Sequence, residues 1–381
     1  MSPGLHQTHY RILDTSLCLA SDSEQLLELF DRDYASFRTA AAGGEADLSI
    51  RARFNGPGGP GLAFRRAAGA GGQVGEQSLD GHPTPVHHAW QWVTQTLFDS
   101  LQGYLLLHAA VVVRNGRAVI LAGPPGTGKT TLALALAGRG FTLFSDEICP
   151  IHRRSGRVHP FPRSLWVIDE DGGKGAEGGQ GVMKAGKRPM NPTIFADTKS
   201  WEETAEPGLL VILDPGPEAV PLGRLVVGTR ERGWEPLLDD LTRLHPGMVV
   251  TRPKAGVAEF HLDYPRGNGL AAALAGLLET HRDCLLNHFV TETARPDFQR
   301  TPVLEPVPAH RAAFGLLPGL KQRVGSPGQA VAAGSAGRLK ELIEHFSGAA
   351  CHRLTVGRLD QQVPLVRELA LRATGEGETG I

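Results

Sequence analysis

Two strongly apolar runs, 104–114 and 117–122, are separated only by Asn115-Gly116, and the second leads straight into Gly123-Pro-Pro-Gly-Thr-Gly-Lys-Thr130. Asn-Gly is the dipeptide that best accepts the two positive φ angles of a type I′ turn, so the runs predict a β-hairpin. The octapeptide fits GxxxxGK[ST], and the Ala- and Leu-rich segment after it predicts a helix over 129–138, closed by Gly138 and Gly140. A strand before the loop and a helix after it are the setting in which this pattern becomes a phosphate cradle. The rest of the chain must therefore be arranged around a sheet edge that carries an anion site.

In such a cradle the residues that meet the nucleotide are Gly123, Gly126, Thr127, Gly128, Lys129, Thr130 and Thr131. Glycines let successive backbone N–H groups close around the β-phosphate, and Lys129 sets a point charge on the β and γ oxygens. The Thr130 hydroxyl ligates Mg²⁺, so ATP and Mg²⁺ are the expected ligands.

A short strand is expected at 141–144, and Asp146 and Glu147 follow it. Only one helix separates this strand from the loop, so it should lie near the P-loop strand with its carboxyl end beside the phosphates. One carboxylate can then hold the metal while the other accepts a proton; the plain alternative is an acidic pair closing a strand on the surface. His108 stands inside the apolar run Leu105-Leu-Leu-His-Ala-Ala-Val111. A lone histidine there is usually a satisfied core residue. This one pairs across Asn115-Gly116 with the strand that ends in the loop, and imidazole titrates close to physiological pH, so it is a candidate for shuttling a proton or orienting a phosphate.

With 381 residues, 41% of them hydrophobic and 21% charged, the chain can bury at least one sizeable core. A formal net charge of −1, with no basic stripe, argues against nucleic acid as a partner. Cys18, Cys149, Cys284 and Cys351 lie far apart without metal-ligand spacing and read as thiols of a reducing compartment. No secretory leader is visible after Met1, and no run approaches the roughly 18 apolar residues of a membrane span, so a cytoplasmic protein is expected. Arg163, Lys187, Arg188 and Arg230 could touch phosphate or acceptor, but single arginines and lysines are more often solvated surface residues, and that is the expectation for them.

Residues 1–102 read as a small α+β N-terminal domain. It holds a strand at 10–20, then a helix capped by Asp22 or Ser23 with Leu26, Leu27, Phe30, Tyr34 and Phe37 at helical spacing. Strands at 46–54 and 62–66 follow, then a soft stretch over 67–85 and a helix over 86–102 that buries Trp90, Val93, Leu97 and Leu101. Residues 103–324 form the expected P-loop core, with a second hairpin at 149–161 turning at Ser155-Gly156. A Gly-rich insertion at 168–192 is either a lid or a plain insertion. Strands at 209–213 and 257–262 and helices at 235–244 and 270–278 complete the core. A Gly/Ala/Ser linker at 325–337 leads to a C-terminal α/β unit, 337–381, with a helix, strand, helix pattern. The fold class is α/β with a mixed sheet.

The stretch from Leu107-His108-Ala-Ala through the hairpin and loop to Leu134-Ala-Leu-Ala-Gly-Arg-Gly-Phe-Thr-Leu-Phe-Ser-Asp-Glu147 resembles the HPr serine kinase family. The likeness spans 104–162, with weaker echoes at Pro160-Phe-Pro-Arg-Ser164 and His352-Arg-Leu-Thr-Val-Gly-Arg-Leu-Asp360. It implies the P-loop kinase fold shared with phosphoenolpyruvate carboxykinase, in which an antiparallel hairpin leads into the P-loop. It also implies a catalytic set of Asp146 as base, His108 and Lys129, with Glu147 as a metal ligand where the family usually has a second aspartate. Thr130, Asp146 and Glu147 are then the metal-site residues. The implied reaction moves the γ-phosphate of ATP to a hydroxyl, a serine of a protein or peptide, and the implied assembly is a homo-oligomer. The Gly-rich signature of the bifunctional kinase/phosphorylases does not follow this region. A small-molecule hydroxyl kinase and a nucleotide-regulated ATPase are the alternatives.

Overall fold

A computed structural model describes residues 4–40, 44–55, 59–67, 72–79, 85–168, 187–190, 203–229, 235–244, 249–251, 259–265, 270–281, 284–322 and 331–375. The first hundred residues build a six-stranded sheet from β1 (His6–Ile12), β2 (Thr15–Ser21), β3 (Arg38–Thr39), β4 (Leu48–Arg53), β5 (Gly61–Arg66) and β6 (Val74–Ser78), in the order β3-β1-β2-β4-β5-β6. The single strand expected over 10–20 is two, because the chain reverses at Leu13, whose φ is 55°. Strand β6 lies within the stretch expected to be soft.

Two helices, α1 (Glu24–Tyr34) and α2 (Pro85–Ser100), cover this sheet. Ser23 caps α1 by accepting from the Leu26 N–H, while Asp22 instead accepts from Phe54 and Asn55 N–H at 2.8 and 3.0 Å. Leu26, Phe30 and Tyr34 of α1 and Val93 and Leu97 of α2 are buried as their spacing requires. The cluster that Phe30, Tyr34, Val93 and Leu97 join also takes in Tyr104, Leu106, Ile148 and Phe161 from the following part of the chain.

That second sheet begins with β7 (Tyr104–Arg114) and β8 (Arg117–Ala122), joined through Asn115 and Gly116 at φ 50° and 70° as the dipeptide predicts. Then come α3 (Lys129–Ala137), β9 (Thr142–Ser145) and β10 (Ile148–His152). The return arm expected for a hairpin after 149 is reduced to single bridges of Val158 with Ile151 and Ala205. Strands β11 (Leu165–Ile168) and β12 (Lys187–Met190) pair antiparallel with each other, Ile168 opposite Lys187. The rest of the Gly-rich segment lies outside the described residues, as does Arg230. The chain returns to the sheet at β13 (Glu206–Asp214).

From the end of β13 a separate antiparallel sheet is spun out, comprising β14 (Val220–Thr229), β15 (Val249–Thr251), β16 (Glu259–Pro265) and β17 (Leu285–Arg295), with α4 (Glu235–Leu244) and α5 (Leu270–Thr280). The chain then adds β18 (Val303–Pro306), α6 (Ala309–Leu316), α7 (Val331–Phe346), β19 (Ala350–Thr355) and α8 (Leu359–Ala373). Helix α7 starts inside the segment expected as linker.

The main sheet has the order β10-β7-β8-β13-β19-β18, with β9 also on β7; β8, β13 and β19 run parallel and the outer pairs antiparallel. The architecture is therefore the mixed α/β sheet expected. Helices α3 and α8 cover one face through Leu132, Leu136, Val363 and Val366, and α6 and α7 the other through Ala312, Leu316, Leu342 and Phe346. Burial on both faces explains why β7, β8 and β13 read as unbroken apolar runs. Each fully buried Leu or Val here contributes roughly 2 kcal/mol.

Candidate nucleotide site

Gly123 is the first residue past β8, and a Cβ on it would stand 2.5 Å from the Leu213 carbonyl oxygen, so only glycine lets the loop leave the sheet this close to β13. Gly126 and Gly128 both have φ of 85°, and α3 begins immediately after Gly128. Thr127 is buried, and its hydroxyl donates to the Pro124 carbonyl at 2.9 Å. Lys129 is buried too, and its ammonium donates to the carbonyls of Gly123 and Pro124 at 2.8 and 3.0 Å, holding the cation across the loop. Thr130 is half-buried and Thr131 exposed. Loop, cation and helix N-terminus make a concentrated anion-attracting surface.

Strands β9 and β10 form one line along β7, interrupted at Asp146 and Glu147. Ser145 lies opposite Val111 and Ile148 opposite His108, and the Ala109 N–H donates to the Glu147 carbonyl at 3.2 Å. The acidic pair thus faces Ala109 and Ala110, and Ala109 in turn pairs with Ala122, the residue before the loop. The expected neighbourhood of this strand and the P-loop strand is corrected in one respect: β7 stands between them. Two strand spacings, about 10 Å, therefore separate the backbones of Glu147 and Ala122. The Ser145 hydroxyl accepts from the N–H of Glu147 at 3.3 Å and of Ile148 at 3.0 Å, fixing the interruption. Asp146 is buried and Glu147 half-buried, so the pair does not simply close a strand on the surface. Two carboxylates and the Thr130 hydroxyl are hard oxygen donors, a set that suits Mg²⁺. Among the described residues no cluster of three or more His, Cys, Asp or Glu is placed to hold a metal.

His108 falls in line with the start of the loop, since Ala109 pairs with Ala122. Its Nδ1 lies 3.2 Å from the Glu147 carbonyl, which can only accept, so Nδ1 carries the proton and Nε2 is left as the acceptor. Burial, then Lys321 and Lys129, push its pKa down to about 4. The expectation that it titrates near physiological pH is corrected: in this state the imidazole is neutral at pH 7.

Arg163, expected on the surface, is 8% exposed. Its guanidinium pairs with Asp33 of α1 at 2.9 Å and with Glu147 at 3.4 Å, and lies 4.8 Å from the centre of the Tyr34 ring. Burial works against its charge, but Tyr34, Glu147 and Asp33 outweigh that and hold its pKa above the ordinary arginine value. The signal available in the sequence was Asp33 itself, an acid one turn from Phe30 on the apolar stripe of α1, where only a buried partner makes it tolerable.

The family model for the ATPase family associated with various cellular activities (AAA) matches residues 119–154, from within β8 to just past β10. This part of the chain is a P-loop nucleotide-binding core. Among solved structures, the Hpr(Ser) kinase/phosphatase from Coxiella burnetii is similar at 17% identity, covering 46% of this chain and 95% of that one, with a TM-score of 0.20. No curated protein matches the chain. No helix among the described residues is long and apolar enough to cross a membrane.

Proposed function

We propose that the chain is a kinase that transfers the γ-phosphate of ATP to a hydroxyl, with a serine of a protein or peptide as acceptor. The observation that carries this reading is the register Glu147–Ala109–Ala122, which aligns an acidic pair and a histidine with the mouth of a P-loop. Phosphoryl transfer asks the protein mainly for positioning and charge stabilisation. The loop N–H groups and Lys129 bind and orient the triphosphate, and Asp146 takes the proton of the attacking hydroxyl. The neutral Nε2 of His108 gains a proton, or a share of one, when phosphate charge approaches. Thr130, Glu147 and Asp146 would hold Mg²⁺, which when bound supplies charge neutralisation on the phosphate oxygens.

A second reading, ATP hydrolysis without an acceptor, is favoured by the AAA match over 119–154. The product separates the two. Incubation with γ-labelled ATP, Mg²⁺ and host lysate, followed by mass spectrometry, should give a labelled protein or peptide. Free phosphate alone, at the same rate with and without lysate, would turn the assignment to an ATPase.

A further inference from the structure

The segment between β17 and β18 crosses the carboxyl ends of β8, β13 and β19, the edge of an α/β sheet at which ligands bind. Three glycines receive it. The Phe298 ring lies 3.7 Å from where a Cβ on Gly128 would stand, so it flanks the P-loop. The Arg300 guanidinium rests on Gly216, just past β13, where a Cβ would be 2.6 Å from Nη1; Gly216 has φ of 88°. The Arg300 carbonyl accepts from the Arg358 N–H at 2.9 Å and abuts Gly357, just past β19.

The two side chains are both unusual for such a place. Phe298 is 41% exposed although it is a large aromatic held against a glycine loop. Arg300 has Nε and Nη1 buried with no acceptor among the described residues. The nearby carboxylate of Asp214 is engaged by the Gly216 N–H at 2.8 Å and by Arg353 at 3.9 Å. Nε and Nη1 lie on different edges of the guanidinium, so the cation has two unmet donors rather than one open bidentate face, and an anion such as a phosphate is the partner such donors favour. An exposed ring face beside a phosphate cradle is suited to a nucleobase, because stacking needs only a flat π surface.

We propose that Phe298 and Arg300 complete the nucleotide site, Phe298 stacking on the base of a nucleoside triphosphate and Arg300 binding its phosphate chain as a second cation beside Lys129. This rests on the nucleotide reading of the P-loop. Both residues belong to the stem by which the inserted sheet β14–β17 rejoins the main sheet, and Gly216 belongs to the outgoing stem, so the ligand would also bridge the two stems.

The test is calorimetric titration of the whole chain with Mg-ATP and, separately, with Mg-tripolyphosphate, which lacks base and sugar. Phe298→Ala should weaken ATP about tenfold, the usual effect of losing one stacking partner, and leave tripolyphosphate unchanged. Arg300→Gln should weaken both ligands by about tenfold, and Arg300→Lys should recover part of the loss. Circular dichroism melting checks that each variant is folded; Phe298, being exposed, is removable without unfolding the chain. If ATP binds both variants as it binds the parent while Lys129→Ala loses it, the inference is overturned and the P-loop reading stands. If the parent binds neither ligand, the P-loop reading falls and takes the inference with it.

Discussion

Arg163 and Asp33 are 130 positions apart and meet at 2.9 Å in a buried ion pair, and the same guanidinium reaches Glu147 at 3.4 Å. A helix of the N-terminal sheet is thereby tied to the acidic pair of the nucleotide site. Removing one partner of a buried pair leaves the other charge uncompensated, so Arg163→Met should destabilise the chain by about 3 kcal/mol in denaturant unfolding. Combining it with Asp33→Asn should restore a good part of that loss. If Arg163→Met unfolds like the parent, the pair does not hold the two sheets together.

Asp146→Asn keeps the shape of the side chain but removes its ability to take a proton. Nucleotide affinity should change little, while acceptor phosphorylation falls by a factor on the order of 10² to 10⁴, the usual contribution of a general base. Lys129→Ala, by contrast, should lose nucleotide binding itself. Wild-type transfer by Asp146→Asn would move the role of base elsewhere.

The low pKa of His108 has a defined sign for stability. Its folded value of about 4 lies below the ordinary 6.5, so between these values the unfolded chain binds a proton that the folded chain refuses. Its contribution is complete above pH 6.5 and is lost as pH falls toward 4. His108→Asn should therefore lose less stability than the parent between pH 7 and pH 4.5, by on the order of 2 kcal/mol. Adding ATP should raise the histidine pKa, seen as a shifted imidazole titration by NMR; an unmoved titration would put His108 out of reach of the phosphates.

Gly123→Ala would push a methyl group into the Leu213 carbonyl at the β8–β13 seam. Thermal stability and nucleotide affinity should fall together, whereas Gly116→Asn, at a surface turn with open space around it, should leave both nearly unchanged.

Where the chemistry is local, the sequence was a good guide. Asn115-Gly116 names its own turn, and GxxxxGK[ST] between an apolar run and an Ala-rich helix names its own loop. Strand β6 escaped because Val74-Gly-Glu-Gln-Ser is a polar edge strand with little apolar pattern. Strands β14 and β17 escaped for a different reason: Pro221, Gly223 and Gly228 break the first, while the pairing between the two joins residues 56 to 75 positions apart. The turn at Leu13 had no glycine or asparagine to announce it. At the site, the loop and acidic pair could be found from spacing, but the burial of Arg163 depends on a tertiary contact with α1, and Arg300 on one with Gly216. The first is announced only by Asp33 on the apolar stripe of α1, far from Arg163 in the chain, and the second leaves no trace in local sequence.

Because β19 lies between β13 and β18, one flank of the P-loop sheet is supplied by residues 350–355, far downstream of the loop. A growing chain must therefore carry β13 with a bare row of backbone donors and acceptors until residues 350–355 have been made, a template for pairing with the wrong neighbour. Shortening the chain before position 350 would then cost solubility before it touched any residue that meets the nucleotide.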